Sequence, residues 1–226
     1  MKVAIIPARG GSKRIKKKNI KIFYGKPMIY WTIKKIKESK IFDKIIVTSD
    51  DKKILNYVKK KVDITINRPK ELSDDFTPTQ PVIKHAISFL NKIGIKIKIA
   101  CCIYPCNPFL EASDLKKSLN LLKKNKYSKF ILPITKYSHP IQRAFSVSKN
   151  NKLNLREKDK ELKRTQDLKE FYFDAGQFYF GTANNWLRNK KIHDNAVGHI
   201  IPSWRSVDID NIEDWKRAEL LFNKLV

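Results

Sequence analysis

The sequence has little of what marks membrane or secreted proteins. Its 226 residues contain no run of 18 apolar residues, which is about the length that a membrane-spanning helix needs. The first residues have neither the apolar segment nor the cleavage pattern of a signal peptide. We therefore expect a cytoplasmic protein that has no membrane partner.

Cysteine is also scarce, and the three that occur are Cys101, Cys102 and Cys106. No second pair supplies the spacing of a zinc site. Neighbouring residues of a strand point to opposite faces, so Cys101 and Cys102 cannot act on one ligand from a strand. We interpret all three as buried thiols in a reducing compartment.

Acidic residues are outnumbered 22 to 48, which leaves a formal net charge of +26. Such an excess suits nucleic acid, an anionic membrane or an anionic small substrate. Of the basic residues 39 are lysine, and because lysine codons are A/T-rich, genome composition alone also explains the bias. A nucleic-acid-binding protein would interleave aromatic and basic residues on one surface. Here the aromatic residues lie in apolar runs, and we expect no nucleic-acid partner.

Familiar nucleotide and nucleophile motifs are missing as well. The sequence contains neither the Walker A loop, G-x-x-x-x-G-K-[ST], nor a G-x-G-x-x-G turn. The four histidines are scattered, at 85, 139, 193 and 199. They suggest no Ser-His-Asp or Cys-His arrangement.

What the sequence does contain is an alternation of apolar runs and amphipathic stretches. Strands are predicted at 3–7, 44–49, 97–104 and 129–135, and helices at 27–39, 51–61, 79–92, 112–124 and 212–225. The strands are apolar almost throughout, as in a sheet that is covered on both faces. The alternation predicts an α/β domain with a mostly parallel sheet and helices on both faces.

The alternation weakens between residues 136 and 169. The stretch "SKNNKLNLREKDKELK" is polar and highly charged. We predict a single domain over residues 1–226 with an inserted arm at about 137–170. Such an excursion is often flexible or packs on a partner subunit.

The stretch "IIPARGGSKRIKKKN", residues 5–19, is the first candidate site. A strand followed by Gly10, Gly11 and Ser12 fits a loop whose backbone N–H groups converge on an anion. Six of the ten residues from Arg9 to Lys18 are basic. The pattern alone leaves two alternatives open, a phosphate-binding loop and a solvated basic run.

The stretch "SVDIDNIED" holds a pair of carboxylates. If residues 207–210 are extended, Asp208 and Asp210 lie on one face. Together they are suited to Mg²⁺, a hard cation that prefers oxygen ligands. The alternative is structural, because Asp210 and Glu213 also spell a capping box for the last helix.

Several stretches, in order, resemble the sugar-acid cytidylyltransferases. They are "IIPARGGSKRIKKKNI", "GKPMIYWTI", "FDKIIVTSDD", "RPKELSDDFTPT", "PFLEASDL" and "SVDIDNIEDW". The resemblance implies a Rossmann-like nucleotidyltransferase sheet with a small protruding dimerisation arm, and hence a homodimer. It also implies that the first loop wraps the triphosphate of CTP and that the Asp208 and Asp210 pair binds Mg²⁺.

The resemblance further implies which residues bind the nucleotide. Arg9, Lys13 and Lys18 would stabilise charge on the phosphates and are the candidate catalytic residues. Arg68 and Thr79 would recognise the cytosine. The full implied nucleotide set is Ala8, Arg9, Gly10, Gly11, Ser12, Lys13, Lys18, Asn19, Arg68 and Thr79. Arg14, Lys16 and Lys17 have no firm counterpart and are interpreted as solvated.

Three further stretches, "HPIQRA", "RTQDL" and "DAGQFYFG", resemble the branch of the family that uses pseudaminic acid. The implied sugar-binding residues are Tyr104, Asn107, Gln142, Arg143, Arg164, Gln166, Asp174 and Gln177. An arginine would clamp the sugar carboxylate. "CCIYPCNPF" departs from the Q-P-T-S-P typical of the neuraminate branch. From "GQFYFG" we expect Phe178 and Phe180 in the core, and Gln177 or Tyr179 toward the site.

The resemblance implies one reaction. The anomeric hydroxyl of a nine-carbon 2-keto sugar acid attacks the α-phosphorus of CTP, giving a CMP-sugar and pyrophosphate. Pseudaminic acid is the expected acceptor. N-acetylneuraminic, legionaminic and octulosonic acids are the alternatives, and a basic nucleic-acid-binding protein is the alternative from another class. No side chain stands out as the general base.

Overall fold

A computed structural model describes residues 1–127, 129–188, 191–194 and 196–224. The strands are β1 (Lys2–Pro7), β2 (Ile22–Phe23), β3 (Lys26–Pro27), β4 (Lys44–Ser49), β5 (Ile64–Asn67), β6 (Ile99–Ile103), β7 (Ile131–Lys136), β8 (Phe145–Val147), β9 (Leu153–Leu155), β10 (Tyr172–Asp174), β11 (Phe178–Thr182) and β12 (Val197–Ile200). The α-helices are α1 (Met28–Ser39), α2 (Lys52–Val58), α3 (Thr79–Lys92), α4 (Ala112–Lys124), α5 (Ala183–Leu187) and α6 (Ile212–Asn223).

Eight strands form the main sheet, along the path β10-β7-β11-β6-β1-β4-β5, and β12 pairs with β7. Four pairings are parallel: β1 with β4, β1 with β6, β4 with β5, and β12 with β7. Strand β11 runs antiparallel to β6 and β7, and β10 runs antiparallel to β7. The predicted α/β class is therefore confirmed. An aromatic core strand was one interpretation of "GQFYFG", but its antiparallel direction was not predicted, because an apolar run does not encode the direction of pairing.

Helices cover both faces of this sheet, as the continuous apolar strands predict. In β1, Ala4 and Ile6 pack with α1, α2 and α4, whereas Val3 and Ile5 pack with α3 and α5. The side chains of a strand alternate between its faces, so one apolar run serves two cores. Cys101 and Cys102 divide in the same way between the two cores, as predicted.

A third apolar cluster lies beneath α6 and joins it to the loop after β1. Its buried aromatic residues are Phe23, Phe109, Trp215 and Phe222, and Phe23 contacts Trp215 and Phe222 edge to face. Ile15 and Ile209 are buried in the same cluster. It therefore holds the basic loop and the acidic segment together.

Most predicted helix and strand bounds lie within three residues of the observed ones. The last helix was predicted to reach residue 225, which is outside the described residues, and it ends at Asn223 among them. The N-cap of α4 is Glu111 and that of α3 is Pro78, and neither makes a side-chain capping bond.

The predicted arm contains a hairpin, β8 and β9, whose strands pair only with each other. Phe145 lies opposite Leu155, and Val147 lies opposite Leu153. Three of these side chains are more than half exposed, namely Phe145, Val147 and Leu153. Within the described chain, the hairpin therefore carries an apolar face that no residue covers.

In the part of the chain that the structure describes, no helix has the length and apolarity required to cross a membrane.

Candidate active site

A cleft of about 490 Å³ opens where several parallel strands end. Arg9 follows β1, Arg68 follows β5, and Tyr104 follows β6. Asp208 and Asp210 reach the same cleft from the segment before α6. The carboxyl ends of parallel strands are the usual ligand side of an open α/β sheet, so the sheet itself gathers these residues.

The glycine loop is shaped by an aspartate that follows β4. The Gly10 N–H donates to Asp50 Oδ1 at 2.9 Å. A Cβ on Gly10 would lie 2.7 Å from the Cβ of Asp51, whereas one on Gly11 would meet nothing within 4 Å. Of these two positions, only Gly10 must be glycine for steric reasons, because Asp51 packs closely against it. The Asn19 amide donates to the Arg9 carbonyl at 2.7 Å, which closes the loop.

Cations of this loop line the cleft and are held by carboxylates. Arg9 and Lys13 both pair with Asp75, at 2.6 Å and 2.5 Å. Arg14 pairs with Asp210 at 2.9 Å. Lys18 donates to the Ile209 carbonyl at 2.5 Å and lies 3.5 Å from Asp210. These cations converge on one space, which is suited to a polyanion such as a triphosphate.

Arg14 was interpreted as solvated, but its guanidinium lines the cleft and pairs with a predicted metal ligand. Its side chain is two-thirds exposed. The basic residues of this loop therefore fall into two groups. Arg14 lines the cleft, whereas Lys16 and Lys17 do not.

Arg68 is a buried arginine whose charge has few hydrogen-bond partners among the described residues. Its side chain is 4% exposed and lies 3.6 Å from Asp50. Burial lowers the pKa of Arg68 below its ordinary value, and Asp50 opposes this shift. Its Nε and Nη2 have no hydrogen-bond acceptor among the described residues. A buried donor that lacks an acceptor is costly, so this guanidinium is suited to a ligand carbonyl or ring nitrogen.

Thr79 and Tyr104 face each other across the cleft wall, with their hydroxyl oxygens 2.5 Å apart. Burial raises the pKa of Tyr104, so the phenol is neutral. Tyr104 packs edge to face on Tyr179, whose hydroxyl donates to Asp174 at 2.8 Å. Asp174 also bonds His193 at 2.8 Å. A smaller cleft of about 340 Å³ adjoins here and shares Thr79, Tyr104 and Tyr179.

Gln177 is 3% exposed and lines the cleft. Its Nε2 donates to the Arg205 carbonyl at 2.7 Å. Its Oε1 is buried and has no donor among the described residues. Asn107, another buried residue of the lining, donates to the Gln177 carbonyl at 3.4 Å. The glutamine therefore offers a fixed acceptor. Phe178 and Phe180 are core residues, as expected.

Asp208 and Asp210 both line the cleft, and Ile209 between them is buried. Asp208 accepts no hydrogen bond from any described residue. Partial burial, and then the charge of Asp210, raise the pKa of Asp208 above its ordinary value. A cation relieves both effects.

These two carboxylates fit Mg²⁺ as a donor set, since it takes one or two carboxylates plus phosphate and water oxygens. No group of three or more His, Cys, Asp or Glu suited to a metal occurs in the described chain.

The alternative of a capping box made by Asp210 and Glu213 is wrong by one residue. The helix N-cap is Asn211, and its capping-box partner is Asp214. The Asp214 carboxylate accepts from the backbone of Asp210 and Asn211, at 2.9 Å and 3.0 Å. The Asp210 side chain therefore remains available to the cleft.

Of the sequence-predicted residues, twelve line the cleft: Arg9, Ser12, Lys13, Lys18, Asn19, Arg68, Thr79, Tyr104, Asn107, Gln177, Asp208 and Asp210. Ala8, Gly10 and Gly11 belong to the backbone of the first loop behind it. Asp174 lies behind Tyr179 and acts on it. Their assignment to ligand contacts stays a prediction.

Four predicted sugar-binding residues lie in the arm instead. Gln142 is buried and donates to the Lys169 carbonyl at 2.8 Å. Arg143 donates to Thr165 and to the Lys163 carbonyl. Arg164 pairs with Asp167 at 2.8 Å, and Gln166 lies in the same exposed turn. Within one chain these residues brace the arm, and their contact with sugar stays a prediction.

Sequence reasoning missed Asp50, Asp75 and Cys106. Asp50 follows a predicted parallel strand, which is the one signal that marks it from sequence. Asp75 belongs to a polar loop in which nothing distinguishes it from Asp74. Cys101 and Cys102 are buried as expected, but Cys106 is only partly buried and lines the cleft. Cys106 donates to Asn19 Oδ1 at 3.1 Å. Burial raises the pKa of the Cys106 thiol to about 12.

The chain is similar in sequence to known cytidylyltransferases. The family model described as "Cytidylyltransferase" matches residues 3–219. A pseudaminic acid cytidylyltransferase of Campylobacter jejuni is 38% identical over 224 residues, which are 97% of this chain and 95% of that one. An N-acylneuraminate cytidylyltransferase of Escherichia coli is 25% identical, over 96% of this chain and 51% of that one.

Solved structures show the same fold at much lower identity. CMP:2-keto-3-deoxy-manno-octonic acid synthetase complexed with CTP has a TM-score of 0.71 and 14% identity, over 100% of this chain and 99% of that one. The 4-diphosphocytidyl-2C-methyl-D-erythritol synthase of Anaerococcus prevotii has a TM-score of 0.60 and 16% identity, over 98% of each chain. With a family model matched over nearly its whole length and a relative 38% identical, the chain belongs to the cytidylyltransferase family.

Proposed function

We propose that this protein transfers CMP from CTP to pseudaminic acid, a nine-carbon 2-keto sugar acid, and releases pyrophosphate. One observation carries the proposal: Arg9, Lys13 and Lys18 line a single cleft with the Asp208 and Asp210 pair. That arrangement suits a triphosphate and its cation. The choice of sugar is supported by the 38% identity to a pseudaminic acid cytidylyltransferase.

In this reaction the anomeric oxygen of the sugar acid forms a bond to the α-phosphorus. The bond from that phosphorus to the bridging oxygen of pyrophosphate breaks, and the hydroxyl proton passes to solvent or to a basic group. Phosphoryl-type transfer depends mainly on positioning and on neutralising charge. Arg9 and Lys13 would exchange Asp75 for phosphate oxygens, and Lys18 is already held in place by the Ile209 carbonyl.

Asp208 and Asp210 would hold Mg²⁺ in this site. The ion, when bound, supplies Lewis-acid stabilisation of charge on the phosphates. The raised pKa of Asp208 and its lack of a hydrogen-bond donor among the described residues support this assignment.

Arg68 and Thr79 would recognise the base. Cytosine presents a carbonyl, a ring nitrogen acceptor and an exocyclic amine. The Arg68 Nε and Nη2 groups would donate to the first two. The Thr79 hydroxyl would accept from the amine and can keep its bond to Tyr104, because a hydroxyl donates and accepts at the same time.

Gln177, Tyr104 and Asn107 would contact the sugar. The Gln177 amide nitrogen is committed to Arg205, so Oε1 is the atom that remains for substrate. It would accept from an amide N–H or a hydroxyl of the sugar acid. Tyr104 and Tyr179 would form the apolar wall beside it, toward the smaller cleft.

We propose a homodimer that forms through the arm. The apolar face of the hairpin is largely exposed in the described chain, since Phe145, Val147 and Leu153 are each more than half exposed. A second copy supplies matching apolar surface by symmetry. The same contact would carry arm residues such as Arg143 toward the partner's cleft. We place the enzyme in the cytoplasm, where CTP is available and the three free thiols stay reduced.

The direct test is turnover by the purified protein. It is incubated with CTP, Mg²⁺ and, separately, pseudaminic, N-acetylneuraminic, legionaminic and octulosonic acids. Pyrophosphate release and the mass of the CMP-sugar are followed. We expect the highest kcat/KM with pseudaminic acid, and loss of turnover when UTP replaces CTP. Turnover with only another sugar acid would overturn the substrate, and no pyrophosphate with any acceptor would overturn the reaction.

A further inference from the structure

A buried charged cluster lies behind the cleft without lining it. Asp114, in the first turn of α4, is 3% exposed. Its Oδ1 bonds His199 Nε2 at 2.9 Å, and its Oδ2 pairs with the Arg205 guanidinium. His199 lies on β12 and Arg205 in the turn that follows it. Three separate parts of the chain therefore meet at one carboxylate.

This carboxylate is held as an anion. Burial by itself raises the pKa of Asp114, but the hydrogen bonds from His199 and Arg205 outweigh burial, and the net pKa lies below the ordinary value. A buried charge requires partners of this kind. The helix does not need the side chain as a cap, because its N-cap is Glu111. Asp114 therefore has a use other than helix capping.

The cluster reaches the cleft through the backbone of Arg205. The carbonyl of Arg205 accepts from Gln177 Nε2 at 2.7 Å. That bond fixes the orientation of the Gln177 amide, with Nε2 toward Arg205. The Gln177 backbone carbonyl in turn accepts from Tyr104 N at 3.0 Å. A shift of the Arg205 peptide would therefore be transmitted to the lining of the cleft.

The cluster also fixes one end of the acidic segment. Arg205 precedes Asp208 by three residues. Downstream, the segment is held by the bond from Lys18 to the Ile209 carbonyl and by the capping box of Asn211 and Asp214. Upstream of Asp208, the segment is held by the ion pair between the Arg205 guanidinium and Asp114.

We propose that Asp114 is a positioning residue of the active site, acting through Arg205 on Gln177 and on the Asp208 and Asp210 segment, with His199 orienting its carboxylate. This inference rests on the proposed function, because the groups that it positions are those assigned to sugar and Mg²⁺. Asp114 touches no substrate. Its effect is on the placement of residues that do.

The test uses Asp114→Asn, Arg205→Lys and the double variant of the full chain. Binding of Mn²⁺ to the protein with CTP is followed by electron paramagnetic resonance, which needs no turnover. Outer-shell residues typically contribute about 10-fold or more to metal affinity. We expect each single variant to weaken Mn²⁺ binding about 10-fold and to lower kcat. Both residues act through one contact. We therefore expect the double variant to bind Mn²⁺ as tightly as the single variant that has the lower affinity.

Asp43→Asn, at an exposed position, is the control for the loss of a hydrogen-bonding aspartate. Asp43 is also an aspartate that accepts a structural hydrogen bond, from Lys2 N at 2.6 Å, but it lies at the opposite end of the sheet. It should leave Mn²⁺ binding unchanged. If folded Asp114→Asn binds Mn²⁺ within twofold of the wild type, or if the two substitutions act additively, the inference is wrong. Should Asp114→Asn fail to fold, Arg205→Lys decides alone, because it keeps a cation beside Asp114.

The outcome is separable from that of the proposed function. Failure of the proposed function appears in the unmodified protein, as absence of pyrophosphate release with every sugar acid. Failure of the positioning role appears in the variants, as unchanged Mn²⁺ affinity in a protein whose wild type turns over.

Discussion

The carboxylate of Asp75 lies 2.6 Å from the guanidinium of Arg9 and joins the loop before α3 to the loop after β1. The same carboxylate lies 2.5 Å from Lys13 Nζ. Two cations assigned to the triphosphate are therefore already paired with an acid of the protein. A phosphate that binds them must displace it.

Asp75→Asn should consequently tighten CTP binding. Removing the carboxylate frees Arg9 and Lys13, and we expect the KM for CTP to fall by about two- to fivefold, the scale of one exposed ion pair. The gain should shrink at high salt, which screens exposed charges. Glu71→Gln removes the same charge from an exposed position nearby and should change little. A raised KM in Asp75→Asn would instead make Asp75 a ligand of the substrate complex.

Asp208→Asn should abolish most of the activity while leaving the fold intact. The substitution removes a carboxylate that makes no hydrogen bond to the described chain, so the protein loses little stability. We expect kcat to fall by about 100-fold or more, and the Mg²⁺ concentration for half-maximal rate to rise. Glu213→Gln, on an exposed position of the same segment, is the control. Full activity in Asp208→Asn would remove Asp208 from the metal site.

The three thiols should resist alkylation in the native protein. Burial raises the pKa of Cys106 to about 12, and burial likewise raises those of Cys101 and Cys102. Only the thiolate reacts, and a pKa of 12 leaves about one thiol in 10⁵ ionised at pH 7. Mass spectrometry after iodoacetamide treatment should show no adducts in native buffer and three in denaturant. Rapid native alkylation at neutral pH would contradict the raised pKa values of these thiols.

Asp114 should make the protein sensitive to acid. Its folded pKa is lower than its unfolded pKa, so its contribution to stability is complete above the unfolded value of about 3.9. The contribution is lost as the pH falls through the folded value. Asp114→Asn should lower the free energy of unfolding at pH 7 by about 3 kcal/mol and flatten its decline in acid. Denaturant titrations from pH 3 to pH 7 measure both, and an unchanged slope would exclude a charged Asp114.

The hairpin of the arm should control the oligomeric state. Val147→Asp with Leu153→Asp places two charges on its exposed apolar face, where the residues lie opposite each other. Sedimentation should then report the single-chain mass of 26.5 kDa in place of twice that mass. Ser146→Asp with Asn154→Asp puts the same charges on the other face of the hairpin and should leave the dimer. A monomeric wild type at micromolar concentration would contradict the dimer itself.

The sequence by itself determined the main alternating strands and helices, and the edge of the sheet at which the site lies. Continuous apolar strands such as β1 and amphipathic helices such as α1 are local patterns, and burial on both faces follows from them. The order of β-α units places the ends of β1 and β6 at one edge. The residues after those ends, including Arg9 and Tyr104, were therefore predictable as neighbours.

Only the tertiary structure decided which charges meet. Three ion pairs join residues that are far apart in the chain. They are Arg9 with Asp75, Asp114 with Arg205, and Arg14 with Asp210. Hydrogen-bond geometry at 2.5–3.5 Å depends on where whole elements pack, and no local pattern encodes it. The capping box shows the same limit, since a shift of one residue, from Asp210 to Asn211, released a carboxylate to the cleft.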